Sequence, residues 1–348
     1  MATVYVGMSG GVDSSVTAAL LKEQGYDVVG VYMKNWTKDL PGMKCPWADD
    51  LADAKRVAVQ LGIDFKVFDF EKEYKQTVVD YMIEEYSRGR TPNPDIMCNQ
   101  EVKFKLFLEA SLADGADFIA TGHYARVENG HLKVAKDSNK DQTYFLYRVN
   151  EDALLKTLFP LGEYEKSQVR DMAKQRGLYT ASKKDSQGIC FVGQIGIREF
   201  LSQYVEQVPG DIIDKETGKI LGRHDGAIFY TLGQRHGLDI GGGLPYYVVG
   251  KDMKKNEVYV TTNLNDKELW REEIVLASPH WINGAPKNGE YQVRVRHRAA
   301  LVPADITVEG KDKVTVRLHN AQRAVASGQS IVVYSNDMVL GGGIVTPA

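Results

Sequence analysis

Apolar and polar positions along the chain keep one rhythm for about two hundred residues and then change to another. Val4, Tyr5 and Val6 form a short apolar run that predicts a buried strand. Residues 7–11 read as a glycine-rich turn, and residues 13–24 as a helix with an apolar face at Val16, Ala19 and Leu20. A second strand, apolar throughout, is predicted over residues 27–36, an amphipathic helix over 49–61, a strand over 65–68, a helix over 74–89 and another strand over 118–121. A hairpin is expected around Asn129-Gly130, and helices over 154–158 and 166–176. This βαβ alternation predicts a Rossmann-like parallel sheet of the α/β class over residues 1–204.

From Gly210 the apolar positions come in short β-rich pieces divided by glycine turns, predicting a small β-rich unit over 205–268. Strand-like alternation then recurs in YQVRVRHR, ADITVEG, KVTVRLH, QSIVVYS and MVLGGGIV, predicting a compact C-terminal β-barrel over 269–348. A strand through Arg294, Arg296 and Arg298 would set three cations on one face, a phosphate-tracking stripe or a solvated strand face.

Composition narrows the class without naming a chemistry. With 348 residues the chain exceeds one typical core, and 43% hydrophobic and 26% charged residues are those of a soluble globular protein. The start MATVYVGMSGG has no basic segment followed by an apolar stretch, and no run approaches membrane-spanning length, so a cytoplasmic location with no membrane partner is expected. Three cysteines and no C-x-x-C pair argue against a disulfide scaffold, a zinc site or an iron–sulfur cluster. The net charge of −3 means that nucleic acid, if bound, is held by local patches.

Candidate chemistry begins at the first turn. Glycines after a strand let backbone N–H groups approach an anion, and the orphan N–H groups of the following helix carry partial positive charge toward it. The turn has neither the Gly-Lys-Ser/Thr of a Walker loop nor G-x-G-x-x-G, and no lysine within it reaches a terminal phosphate. The run S-G-G-V-D-S from Ser9 to Ser14 resembles the PP-loop of the ATP pyrophosphatases, which cleave ATP between the α and β phosphates while adenylating an oxygen of the substrate. Met33, at the end of the second strand, is a candidate adenine contact or core filler. His123, after Gly122, is a candidate substrate contact or a structural histidine. In TPNPDIMCNQEVKF two prolines stiffen the backbone, and a helix opening at Asn99 would leave Cys98 just ahead of its N-terminus, where thiolate is favoured; a buried, inert thiol is the alternative. Cations interleaved with rings in AKDSNKDQTYFLYR suit RNA or a solvated loop, and Cys190 sits in the glycine-flanked loop SQGICFVG.

Taken together, GMSGGVDSS, TPNPDIMCN, TGHYAR, KDQTYFL, SQGICFVG, YTLGQRHGL and LGGGIV resemble, in order and over nearly the whole chain, the tRNA-specific 2-thiouridylases of the MnmA type. The resemblance implies a tRNA uridine 2-sulfurtransferase that adenylates the C2 oxygen of the wobble uridine and then delivers persulfide sulfur, giving 2-thiouridine, AMP and pyrophosphate. It implies ATP, with Mg²⁺, at Gly7, Met8, Ser9, Gly10, Gly11, Val12, Asp13, Ser14, Met33 and Gly122. Cys190 would carry the persulfide received from a sulfur donor or relay protein. Cys98 would either release sulfide from it or resolve the Cys190-bound product, leaving a Cys98–Cys190 disulfide. Asp95 is the implied acid/base. Asn93, Pro94 and Asp95 would frame the target base, with the tRNA anticodon region touching His123, Lys140, Asp141, Gln142, Arg296, His297 and Gln329. No resident metal ligand is implied, Cys45 stays structural, and a monomer is expected. An adenylating amidotransferase is the rival enzyme, but an N-terminal glutaminase needs a cysteine at position 2, which is Ala2. A non-catalytic RNA binder would need neither the intact loop nor the paired cysteines.

Overall fold

The computed structural model describes residues 1–39, 45–185, 196–241 and 243–347. Strands β1 (Thr3–Gly7), β2 (Asp27–Lys34), β3 (Asp64–Asp69), β4 (Phe118–Ala120) and the short β7 (Thr157–Leu158) form a five-stranded parallel sheet in the order β3-β2-β1-β4-β7. Residues 157–158 are thus a strand, where a helix was expected; the helix ends earlier, at Leu155. Chain direction across the sheet reverses on the two sides of β1, so its carboxyl end is the topological switch point where such sheets collect ligands. Helix α1 (Val12–Glu23) follows immediately. Its Ala18 and Leu21 pack toward the sheet, while Val12, Val16, Ala19 and Leu20 pack against Val169 and Ala173 of the helix Lys166–Gln175. Helix α2 (Trp47–Leu61) buries Ala54 and Val57 in the same layer as α1 and stops at Gly62, whose φ of 59° suits a left-handed cap.

The hairpin β5 (Arg126–Glu128) and β6 (His131–Lys133) turns at Asn129-Gly130 but does not join the parallel sheet. The central unit is a four-stranded sheet, β10-β11-β8-β9, made of β8 (Gly210–Asp214), β9 (Ile220–His224), β10 (Tyr247–Asp252) and β11 (Glu257–Thr261). The C-terminal unit is β12 (Trp270–Trp281), β13 (Gly289–Arg294), β14 (Val302–Glu309), β15 (Lys313–Arg323), β16 (Ser330–Ser335) and β17 (Met338–Val345). Pairing in the order β12-β15-β14-β13-β16-β17, with β17 returning to β12, closes a six-stranded antiparallel barrel. Its longest strand, β12, did not stand out in the sequence because acids and a proline break the alternation of WREEIVLASPHW. In the LGGGIV stretch β12 and β16 press on β17 from both sides. A Cβ on Gly341 would meet the His280 carbonyl, one on Gly342 the Ile331 carbonyl, and one on Gly343 would lie 2.9 Å from Leu276 Cβ.

The barrel is not a free appendage. On β16, Ile331 and Val333 face its interior, while Val332 and Tyr334 point the other way into the main core beside Tyr144, Leu146 and Tyr147. Strand β6 then pairs with β17, Leu132 opposite Val339, extending the C-terminal sheet with two strands from the first half of the chain.

The expected arginine stripe does not form. Strand β13 ends at Arg294, Arg298 lies in a turn with φ of 61°, and Arg294 turns inward to Asp141 at 3.2 Å. Among the described residues no helix is long and apolar enough to cross a membrane.

Candidate nucleotide and tRNA site

The loop from Gly7 to Gly11 leaves the switch point held by the Met8 N–H donating to the Val31 carbonyl at 2.8 Å. Gly10 has φ of 72° and lies so close to α2 that a Cβ would run into the Asp50 carbonyl, so glycine is required there. Gly11 caps α1 without a side-chain hydrogen bond, which leaves the N–H groups of the first turn available to an anion. The hydroxyls of Ser14 and Ser15 donate to the Gly11 carbonyl at 3.2 and 2.7 Å, and the Ser9 N–H donates to Ser14 Oγ at 3.2 Å. Ser9 is the exposed member of the loop. Gly122 packs on the same helix start: a Cβ there would lie 2.8 Å from the Ser14 nitrogen. Met33 reaches beside Gly7, where a Cβ would be 2.9 Å from its Cε. The ten residues assigned to ATP thus lie around one strand end, and the cradle fits a phosphate chain.

A lysine absent from the loop in sequence reaches it in space. Lys166 Nζ donates to both Asp13 oxygens, at 2.6 and 2.8 Å, and to Asp185 Oδ1 at 2.9 Å. The Tyr124 hydroxyl also donates to Asp13, at 2.9 Å. Burial and the neighbouring Asp13 carboxylate push the Tyr124 phenol far above its ordinary range, so it stays a donor. Asp185 gathers Lys140 (2.8 Å), Lys166 and Arg170 (2.5 Å). Burial acts to raise its carboxyl pKa, but hydrogen bonds from Lys140 and Lys166 outweigh that and hold it at about 2. Among the described residues no group of three or more His, Cys, Asp or Glu side chains could hold a metal ion.

The second half of the site is one continuous helical stretch. It opens with Pro94 in its first turn, passes through a π-helical stretch at Cys98–Leu106, and ends at Ala113. The expected opening at Asn99 is therefore wrong. Proline is pre-organised for the first helical position, so the helix starts one turn earlier and Cys98 lies inside it, 2% exposed. The start of this helix is tied to both C-terminal units. The Thr91 N–H donates to the Ser327 carbonyl at 2.8 Å, Gln329 Nε2 donates to the Thr91 carbonyl at 2.7 Å, and the Thr91 and Thr231 hydroxyls lie 3.2 Å apart. Asn93 Nδ2 donates to the Tyr144 hydroxyl at 3.3 Å, which donates to the Ser330 carbonyl at 2.8 Å. Farther along, Phe104 packs against His123 with ring centres 5.6 Å apart, and Phe107 lies beside Gly7. The helix that bears Cys98 thus touches the phosphate loop. Cys190 lies outside the described residues, which resume at Gly196.

The residues assigned to tRNA divide into exposed and spent groups. Arg296 is exposed, and Gln329 holds Thr91. Asp141 is buried, accepting from the Ala135 N–H at 3.0 Å and the Thr143 hydroxyl at 2.8 Å and pairing with Arg294. Gln142 accepts from the Tyr124 N–H at 2.9 Å, and Lys140 pairs with Asp185. His123 is buried with Nδ1 2.7 Å from the Thr121 hydroxyl, and desolvation holds its pKa well below the ordinary value. His297 packs against Phe145 with ring centres 4.4 Å apart and planes tilted by 42°; burial, with Arg298 and Arg294 nearby, lowers its pKa to about 4. Sequence reasoning missed Lys166, Tyr124 and Thr91. The one available signal was a lysine opening a helix, at the end that disfavours cations.

A parallel sheet with an uncapped, glycine-lined helix start at its switch point, followed by a small β unit and a closed barrel, defines a nucleotide-binding α/β protein with appended β domains. Family models match all three parts: a tRNA methyl transferase HUP domain over residues 2–194, a tRNA methyl transferase PRC-barrel domain over 198–262 and an aminomethyltransferase beta-barrel domain over 271–345. A tRNA-specific 2-thiouridylase MnmA of Methylobacillus flagellatus is 49% identical over 356 residues, covering 99% of each chain. Enzymes of the same name from Bacillus cytotoxicus (46% identity, 97% of this chain and 93% of that one) and Bacillus licheniformis (47%, 98% and 94%) are similarly close. The chain belongs to the tRNA-specific 2-thiouridylase family.

Proposed function

We propose that the chain is an ATP-dependent tRNA uridine 2-sulfurtransferase. The observation that carries this reading is the single helix that bears Cys98 near one end and sets Phe107 against Gly7 of the phosphate loop, in a chain 49% identical to a 2-thiouridylase. Activation and sulfur delivery must occur at one carbon, and that helix joins the two halves. A methyl-transfer reading, which the description of the first family model invites, gives the loop no phosphate to hold.

ATP binds with its phosphates on the first turn of α1 and its adenine toward Met33. Mg²⁺ accompanies the phosphates in this reading, and no residue is assigned to it. The C2 oxygen of a wobble uridine, taken out of its stack, attacks the α-phosphorus; pyrophosphate leaves, and the uridine carries AMP on that oxygen. Asn93, Pro94 and Asp95, at the helix start held by Tyr144 and Thr91, frame the base, with Asp95 as acid/base. Sulfur arrives from a persulfide on Cys190, loaded by a donor or relay protein. Two routes end alike: Cys98 attacks the inner sulfur and releases sulfide, which displaces AMP, or the terminal sulfur attacks C2 first and Cys98 then frees the product. In each, AMP takes the original oxygen, 2-thiouridine forms and a Cys98–Cys190 disulfide remains. His123, Lys140, Asp141, Gln142, Arg296, His297 and Gln329 form or support the surface toward the anticodon region. The protein acts as a monomer in the cytoplasm.

The test is incubation with unmodified tRNA, ATP, Mg²⁺ and a persulfide source, followed by mass spectrometry of the nucleosides. 2-Thiouridine with stoichiometric AMP is expected. ATP cleavage to AMP on another substrate without thiolation would sink the reading.

A further inference from the structure

We propose that Lys166 is the cation that receives the pyrophosphate half of ATP, exchanging its Asp185 partner for phosphate when the nucleotide binds. The inference rests on the reading of Gly7–Ser14 as an ATP loop. Lys166 lies 153 positions from Asp13, yet its backbone is fixed as though its placement mattered. Its N–H donates to Asp137 Oδ2 at 2.9 Å, and it opens a helix locked by a reciprocal Glu165–Gln168 capping box. Its side chain is only 11% exposed, with Nζ against the Tyr124 ring at 5.8 Å.

This cation stands where helix dipoles oppose it. It is the first residue of its own helix, and its ammonium pairs with Asp13 in the first turn of α1, beside N–H groups that no side chain caps. Asp13 and Asp185 offset that repulsion, but Asp185 also serves Lys140 and Arg170. A phosphate chain on the first turn of α1 would bring several negative oxygens to the same place. It would then compete with Asp185 for the ammonium, while Asp13, held by Tyr124 as well, keeps the lysine aimed. The adenosine end, toward Met33, would not meet it.

The experiment compares ATP, AMP and inorganic pyrophosphate by titration calorimetry on the wild-type chain and on Lys166→Met, Lys166→Arg and Asp185→Asn. Lys166→Met should weaken ATP and pyrophosphate roughly 10- to 100-fold, the range of a charge-assisted hydrogen bond, and leave AMP within about twofold. Lys166→Arg should recover most of the loss. Asp185→Asn, which removes the competing carboxylate, should tighten pyrophosphate by about threefold. Effects of opposite sign from the two partners of one ion pair are not produced by a merely structural pair, so the arginine and asparagine variants decide the question if the methionine variant fails to fold. Pyrophosphate affinity unchanged in Lys166→Met overturns the proposal and leaves the loop reading intact, as does an equal loss of AMP and ATP. Failure of the wild-type chain to bind ATP or pyrophosphate overturns both.

Discussion

Burial decides what individual side chains can do at this site. Asp141 is held in the interior by Arg294, the Ala135 N–H and the Thr143 hydroxyl. Replacing Arg294 by Met strands that carboxylate, and the unfolding free energy should fall by about 3 kcal/mol in urea titrations, with partial recovery in the Arg294→Met, Asp141→Asn double variant. His297 makes a second test. Its pKa falls from 6.5 to about 4 on folding, so between those values the unfolded chain binds the proton that the folded chain refuses. Stability should therefore decline as pH drops from 6.5 toward 4, and His297→Gln should flatten that decline in urea midpoints taken at pH 7 and pH 5. In the chain free of RNA the lowered pKa favours the neutral imidazole of His297 at neutral pH.

At the scale of elements, the strand–loop–helix at the amino end was legible because local rules dictate it: an apolar run, a glycine needed at φ of 72°, and serines that close the turn on itself. The place of Cys98 within a helix was misread because Asn99-Gln100-Glu101 competed with a proline start one turn earlier. Arg294 and Arg296 could not be separated by alternation, since the strand ends between them and only tertiary pairing with Asp141 reveals it. Lys166 was out of reach for the same reason: nothing local links it to Asp13. The barrel loop at Ala324–Gln329 is the element whose alteration should report on docking. Gly328 has φ of 89°, and a Cβ there would lie 2.8 Å from the Thr91 nitrogen. Gly328→Ala should cost about 1–2 kcal/mol from the left-handed backbone. It should also loosen the start of the Cys98 helix, seen as a lower thiolation rate with ATP affinity unchanged.

At the scale of the molecule, the three sequence-level units share contacts that a linear reading separates. Thr91 meets the central unit at Thr231 and the barrel at Ser327 and Gln329, so the helix carrying Cys98 is set by all three. Val332 and Tyr334 of the barrel complete the core around Tyr144 and Tyr147. A chain ending at residue 204 keeps the nucleotide sheet but exposes that core and the β6 edge. It should be less stable than the full chain and aggregate at micromolar concentration, measured by light scattering after dilution from urea. A soluble, cooperatively unfolding fragment would show that the barrel is dispensable to the first unit.

The pairing of β6 with β17 also sets an order of events during synthesis. Residues 131–133 emerge from the ribosome some two hundred positions before Met338 and Val339, which will hydrogen-bond to them. Through that interval the hairpin has turned and lies beside Glu151 and Leu155, but β6 has no strand partner on its open edge, and the aromatic layer lacks Val332 and Tyr334. The β6 edge and the core around Tyr144 and Tyr147 are therefore completed only once β16 and β17 have been made. A chain cut between residue 204 and the final strand would keep the glycine loop at Gly7–Gly11 and Cys98, but would lose the β17 edge that pairs with β6.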